Sequence, residues 1–418
     1  MNEMPSKIYP VVVLSLLFGA SGGKAAKPYS AVDGGRVYTE LAYTDEFGVP
    51  MIGVSVNGVQ YRFILDTGAS ILCVTDRVAS SAGLEVAQSK YRFKNLQGKL
   101  QTTRIESLTM GNITMHRQEA VVLSANNTIF RTLGVDGIIG GTVLEHFAVS
   151  FDSRRRTITL TDNPADLAAT TAAWGKFRLW RNLPLLRIGM EDGNGTTREV
   201  MALFDSGNGT GAVVIPTAKE FERYMKAGTV TGVEEGEGVA SRMIGGLGTP
   251  SKLFRGKITG LIFGNMKPGK PGSKTAAAPE TGVLREIPVM SGGLAYPLLC
   301  WKLSEMGVIT IDYTRRQYSF TPYGDARAWS MTPYPVMTAV EKGRLIVASV
   351  WDAQLRQVIS PGDVVEAIGG VPISNPSETA TPNIDELIPR FTTPENASVT
   401  ILDSAGVRHI LPAELFLP

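Results

Sequence analysis

Two short stretches of the chain carry residues whose types and spacing could do chemistry. Phe63-Ile64-Leu65-Asp66-Thr67-Gly68-Ala69-Ser70 is nearly repeated as Met201-Ala202-Leu203-Phe204-Asp205-Ser206-Gly207-Asn208. In each, an apolar run delivers an Asp, then a hydroxyl residue, then a Gly. Paired carboxyls can open an amide bond without a covalent intermediate: one, ionised, activates water, while the other, protonated, donates to the carbonyl oxygen. Two carboxyls about 3 Å apart cannot both ionise cheaply, so they share a proton and titrate as a pair. Gly68 and Gly207 allow a tight loop whose backbone N–H groups approach the carboxylates.

A lone Asp-Ser/Thr-Gly is weak evidence, since Asp and Gly are ordinary turn residues. Two copies set in matching elements are a stronger signal. Asn57-Gly58 between the apolar runs Pro50 to Val56 and Val59 to Leu65 predicts a hairpin whose second strand ends at Asp66. Ile71 to Val74 then reads as a strand, and Thr75-Asp76 caps a short helix that stops near Gly83. The second copy follows the same plan, with a strand Val213 to Ile215 and a helix Ala218 to Lys226 opened by Pro216-Thr217.

Each half continues through a Gly-marked hairpin, Asn95 to Gln101 with Gly98 at its tip and Ser241 to Lys252 with Gly246 at its tip. Gly137 to Leu144 has a counterpart expected at Gly292 to Leu299. Closing hairpins follow, Val149 to Leu160 around Asp152 and Val308 to Phe320 around Asp312. The duplication thus runs over about 50–322, and a Pro/Gly/Lys/Ala-rich insertion interrupts it between Met266 and Thr281.

These motifs and this order resemble the pepsin/retropepsin superfamily of aspartic peptidases, with both active-site loops in one polypeptide. The resemblance implies a mainly β, bilobal acid-protease β-barrel fold, with lobe 1 at 36–162 and lobe 2 at 163–322. It implies a catalytic dyad of Asp66 and Asp205, water as the nucleophile, a polypeptide substrate and no cofactor. Thr67 and Ser206 would bond across the lobe junction, and the hairpins bearing Gly98 and Gly246 are the candidate flaps. Three positions depart from the pattern: Asn208 after the second loop, and Ala295 and Tyr296 where the first half has Gly140 and Gly141. Two other readings stay open, a peptide-binding scaffold without catalysis and a lobe 1 homodimer using two copies of Asp66.

From about Trp329 the character changes. Ile359-Ser360-Pro361-Gly362-Asp363 before Val364 to Ile368, then Gly369-Gly370, resembles a PDZ domain. This predicts a small α+β unit over 330–417 with a groove helix at Asn383 to Ile388 and a peptide ligand. The loop that binds a peptide carboxylate in that family is not recognisable here.

Composition excludes several alternatives. The 418 residues are 43% hydrophobic and 19% charged, with a net charge of +2, an ordinary folded balance with no nucleic-acid patch. Only His116, His146 and His409 occur, at spacings that hold no metal. Gly207-Asn208-Gly209-Thr210-Gly211-Ala212 fits a dinucleotide fingerprint formally, but Val213 to Pro216 cannot open the helix it requires. Cys73 and Cys300 both lie in apolar runs, which favours two buried thiols over a bridge. Lys7, the apolar run Val11 to Phe18 and the small residues Gly19 to Gly22 predict a signal peptide over 1–22, hence an exported chain, periplasmic or secreted, with no membrane span in the mature chain; a monomer is the separate expectation from two active-site loops in one polypeptide.

Overall fold

The computed structural model describes residues 27–45, 48–89, 100–167, 174–239, 242–243, 246–264, 274–275, 282–292, 295–324, 334–373 and 398–417. The predicted signal peptide, the Gly98 tip and the Asn383 to Ile388 helix lie outside them. Asn57 and Gly58 both take positive φ (47° and 89°), the twist a two-residue hairpin demands. They join Met51–Val56 to Val59–Leu65 in a register that places Val56 opposite Val59 and Met51 opposite Ile64. Burial grows along the second strand, from exposed Val59 and Gln60 to fully enclosed Phe63, Ile64 and Leu65. The hairpin therefore drives Asp66 inward.

Strand pairing repeats in the two halves. Val59–Leu65 runs parallel to Gly137–Ile139, which is antiparallel to Cys73–Thr75, itself parallel to Ile113–Leu123. Thr197–Asp205 likewise runs parallel to Leu298–Cys300, which is antiparallel to Val213–Ile215, itself parallel to Val283–Ser291. The helices Asp76–Ser81 and Ala218–Lys226 start where Thr75 and Thr217 cap them, each hydroxyl accepting from the amide three residues on.

One expectation is corrected by this register. Asp205 lies opposite Cys300, with Leu203 opposite Leu298, whereas in lobe 1 Phe63 to Leu65 lie opposite Gly137 to Ile139. The counterpart of Ile138-Ile139-Gly140 is therefore Leu298-Leu299-Cys300, not a stretch beginning at Gly292. Cys300 and Trp301, rather than Ala295 and Tyr296, occupy the places of Gly140 and Gly141. The apolar pair that fills the parallel strand defines the match, and Gly292 belongs to the connection before it.

The lobes are joined by one antiparallel sheet. Its six strands, in order, are Tyr38–Ala42, Thr157–Thr161, Ala148–Asp152, Gly307–Asp312, Gln317–Pro322 and Gly175–Trp180. The central pairing, Ala148 opposite Asp312 through Phe151 opposite Ile309, crosses the junction. Beneath it Phe151 meets Phe204 and Trp301 edge-on, at centroid distances of 5.6 Å each. One continuous apolar core takes in residues of both lobes, among them Phe63, Leu65, Phe147, Phe204, Leu299 and Ile311.

A third unit follows. Val336–Glu341 and Arg344–Val350 form a hairpin, and Val364–Ile368, Val371–Pro372, Ser398–Leu402, Arg408–Pro412 and Phe416–Leu417 complete its described strands. Gly362, Gly369 and Gly370 take positive φ of 102°, 61° and 75°, which explains the Pro-Gly-Asp and Gly-Gly turns read from the sequence. Among the described residues no helix is long and apolar enough to cross a membrane.

Candidate active site

Asp66 and Asp205 end equivalent strands, and both are fully buried at the lobe junction. The Gly68 and Gly207 amides donate to Asp66 Oδ1 at 2.7 and 3.2 Å, so Asp66 accepts one bond from its own loop and one from the other. Burial pushes the Asp66 carboxyl well above the usual carboxylate range, the negative charge of Asp205 adds to this, and the two amides oppose it.

The flanking hydroxyls lock the loops reciprocally. Thr67 Oγ1 donates to the Phe204 carbonyl at 2.6 Å and accepts from the Ser206 amide at 3.0 Å. Ser206 Oγ donates to the Leu65 carbonyl at 2.8 Å and accepts from the Thr67 amide at 2.9 Å. All four bonds are buried and all cross between lobes. Thr67→Val strands two buried partners, each worth about 1–3 kcal/mol when unsatisfied, so the expected loss is about 2–4 kcal/mol. In urea unfolding, a Thr67→Val/Ser206→Ala double variant should lose clearly less than the sum of the singles, because the same junction is broken by either.

The glycines are as crossed as the hydroxyls. A Cβ on Gly68 would fall 2.8 Å from Asp205 Oδ2, and one on Gly207 2.5 Å from Asp66 Oδ1. Each loop therefore lays bare backbone against the other loop's carboxyl. Gly140 is held as closely, since its Cβ would lie 2.8 Å from the Ala69 carbonyl oxygen.

Asn208, an outlier in the sequence pattern, has a local task. Its Oδ1 accepts from the Thr210 amide at 3.0 Å and from the Thr210 hydroxyl, and its carbonyl accepts from the Trp301 amide at 3.0 Å. The equivalent bond in lobe 1 runs from the Gly141 amide to the Ala69 carbonyl. Asn208 thus braces the turn that carries the chain from Asp205 to Val213.

Sequence reasoning missed the neighbours of the dyad that come from distant strands. Cys73 and Cys300 are both buried and unbridged. Burial pushes both thiols up, with the charge of Asp66 adding to Cys73 and that of Asp205 to Cys300. Tyr313, from the turn after the central junction strand, is also held in its neutral form by burial, and the Asp66 charge contributes. No motif marks these residues, because only the strand register brings them near. Gly246 pairs with Met243 at the end of the small hairpin Arg242–Met243/Gly246–Leu247, which lies between the long strands Val230–Gly238 and Ser251–Ile262. Among the described residues no group of three or more His, Cys, Asp or Glu could hold a metal ion.

The aspartyl protease family model matches residues 52–143, which span the Asp66 loop and its parallel partner strand. Among solved structures, the chain is similar to a retropepsin-like aspartic protease from Rickettsia conorii, at 22% identity over 29% of this chain and 89% of that one, with a TM-score of 0.23. No curated protein matches.

Proposed function

We propose that the chain is a single-chain aspartic endopeptidase in which Asp66 and Asp205 share one proton and activate water against a peptide bond. The observation that carries this reading is the reciprocal junction: two buried carboxyls, one raised by the other's charge, fixed by four hydroxyl bonds and two crossed glycines. The ionised carboxyl takes a proton from water as its oxygen bonds to the carbonyl carbon, and the protonated carboxyl gives its hydrogen to the carbonyl oxygen. Collapse of the resulting diol breaks the C–N bond; the amine leaves with one proton, and the diol returns the other to the dyad. The amides on Asp66 Oδ1 hold that carboxyl in a fixed plane throughout. Because lobe 2 completes both the grip and the six-stranded sheet within one chain, neither needs a second copy.

The same proposal takes 1–22 as an export signal, with the enzyme periplasmic or secreted, and 330–417 as a PDZ-like unit that engages polypeptide. The enzymatic part is tested by incubating the mature chain with denatured proteins between about pH 3 and 7 and reading new N-termini by mass spectrometry. Asp66 keeps its proton above the free-carboxyl value of about 4. Activity should therefore persist above that value and fall as pH rises through the pair's upper titration, where the acid is lost. At the acid end it falls again as the base is protonated. Absence of cleavage at every pH would leave the bilobal scaffold as a binding protein.

A further inference from the structure

Lobe 1 and lobe 2 differ in what covers the strands beside their Asp. In lobe 1 the connection 124–136 contains the helix Thr128–Leu133, whose Ile129, Phe130 and Leu133 are buried. They belong to one apolar cluster with Ile64, Cys73, Val121 and Ile138, four residues that face one another through the strand register, and the same cluster extends into the C-terminal unit through residues such as Val336 and Val350. In lobe 2 the corresponding connection is only 292–297, too short for such a helix and its turns. The register equivalents of those four residues are Leu203, Val214, Met290 and Leu298. They are clustered with Trp351 and Met337 of the C-terminal unit, the indole lying where lobe 1 has its helix.

The seat for Trp351 is built. Arg344–Val350 adds to the edge of Val230–Gly238, with Val350 opposite Glu237 and Ser349 opposite Gly238, and the Val239 amide donates to the Ala348 carbonyl at 2.9 Å. Gly236 has no side chain where one would strike the indole, its Cβ falling 2.6 Å from the ring. A Cβ on Gly238 would likewise lie 2.5 Å from Ser349 Cβ. Over the ring, at 4.5 Å from its centroid, sits the Arg255 guanidinium. It bonds Glu234 through Nε at 2.8 Å and the Tyr334 carbonyl through Nη1 at 2.9 Å, tying both units to one strand. Trp351 itself is 5% exposed.

We infer that the C-terminal unit is a wall of lobe 2, with Trp351 standing in for the lobe 1 helix as a positioning residue for Asp205. Leu203 and Cys300 flank Asp205 and share the cluster with the indole, so packing there sets where the carboxyl stands. The kinetic consequence rests on the peptidase reading; the structural one does not.

Full-length Trp351→Ala, Trp351→Phe and Gly236→Ala are compared with wild type by amide hydrogen exchange and peptidase kinetics. Trp351→Ala should speed exchange over Leu298–Trp301 by about tenfold or more while leaving the equivalent lobe 1 segment, Ile138–Gly141, unchanged. Gly236→Ala, which pushes the ring without removing it, should shift the same segment less, and Trp351→Phe should restore most of the protection. In kinetics, kcat should fall on the order of tenfold in Trp351→Ala with KM within about twofold. Equal acceleration in both lobes, or none at Leu298–Trp301, would overturn the proposal. If wild type itself cleaves nothing, the peptidase reading fails while the exchange comparison still decides this one.

Discussion

Asp66→Asn and Asp205→Asn should each reduce peptide cleavage by about 10²–10⁴-fold, and Asp66→Asn should do so without unfolding the chain. The loss follows from the division of labour. Each substitution removes one of two protonation roles that a single pair must fill, and each role contributes about 10²–10⁴-fold by itself. The stability arm is the more discriminating. With its pKa raised in the folded state, Asp66 binds its proton more tightly there than in the unfolded chain. Below the free-carboxyl value of about 4 this favours the fold fully; as pH rises from there through the raised value the advantage is lost, and stability falls. An Asn at 66 keeps an oxygen for the Gly68 and Gly207 amides and offers an N–H toward Asp205 in place of the shared proton. Urea unfolding between about pH 4 and 8 should therefore slope downward in wild type and less so in Asp66→Asn. Full activity in Asp205→Asn would instead favour a dimer built on Asp66, and a flat wild-type slope would mean that the pair carries no raised proton.

What could be read from the sequence was the chemistry held within a few residues. Asn57-Gly58 fixes a hairpin because only a positive-φ pair turns that tightly, and Thr75 and Thr217 announce helices because their hydroxyls satisfy amides three positions on. Pairing between distant strands left no such local mark. Gly292-Gly293 drew the lobe 2 alignment away from Leu298-Leu299-Cys300, since glycines are conspicuous while an apolar pair in a parallel strand is ordinary. The stretch Glu234-Glu235-Gly236-Glu237-Gly238 carries no motif. In the fold its two glycines are the floor on which the C-terminal unit rests. The candidate dyad was legible because it is duplicated. The cysteines beside it were not, because the strands repeat but the residue does not: Val214 holds the register place of Cys73, and Gly140 that of Cys300.

Gly207→Ala should damage the site from the opposite lobe, moving Asp66 rather than its own neighbour Asp205. Neither Gly68 nor Gly207 takes positive φ, so an alanine meets no backbone strain at either position. The penalty lies entirely in space: the new methyl of Gly207→Ala would stand 2.5 Å from both Asp66 carboxyl oxygens, and that of Gly68→Ala 2.8 Å from Asp205 Oδ2. A side chain on a mobile stem could step aside, but Asp66 is enclosed and held by two amides. Its displacement stretches the 3.2 Å bond from the Gly207 amide and separates the carboxyls that share a proton. Overpacking of this kind costs about 1–3 kcal/mol of stability. A misplacement of about 1 Å at reacting groups costs roughly 10²-fold in rate, so activity should fall by far more than stability alone explains. Gly211→Ala is the internal control, since nothing lies within 4 Å of its added Cβ, and it should match wild type in both respects. Carboxyl-carbon NMR separates the two lobes directly. The Asp66 resonance should titrate abnormally in Gly207→Ala and the Asp205 resonance in Gly68→Ala. If each glycine disturbed only the Asp of its own loop, the crossed contact would not govern the dyad.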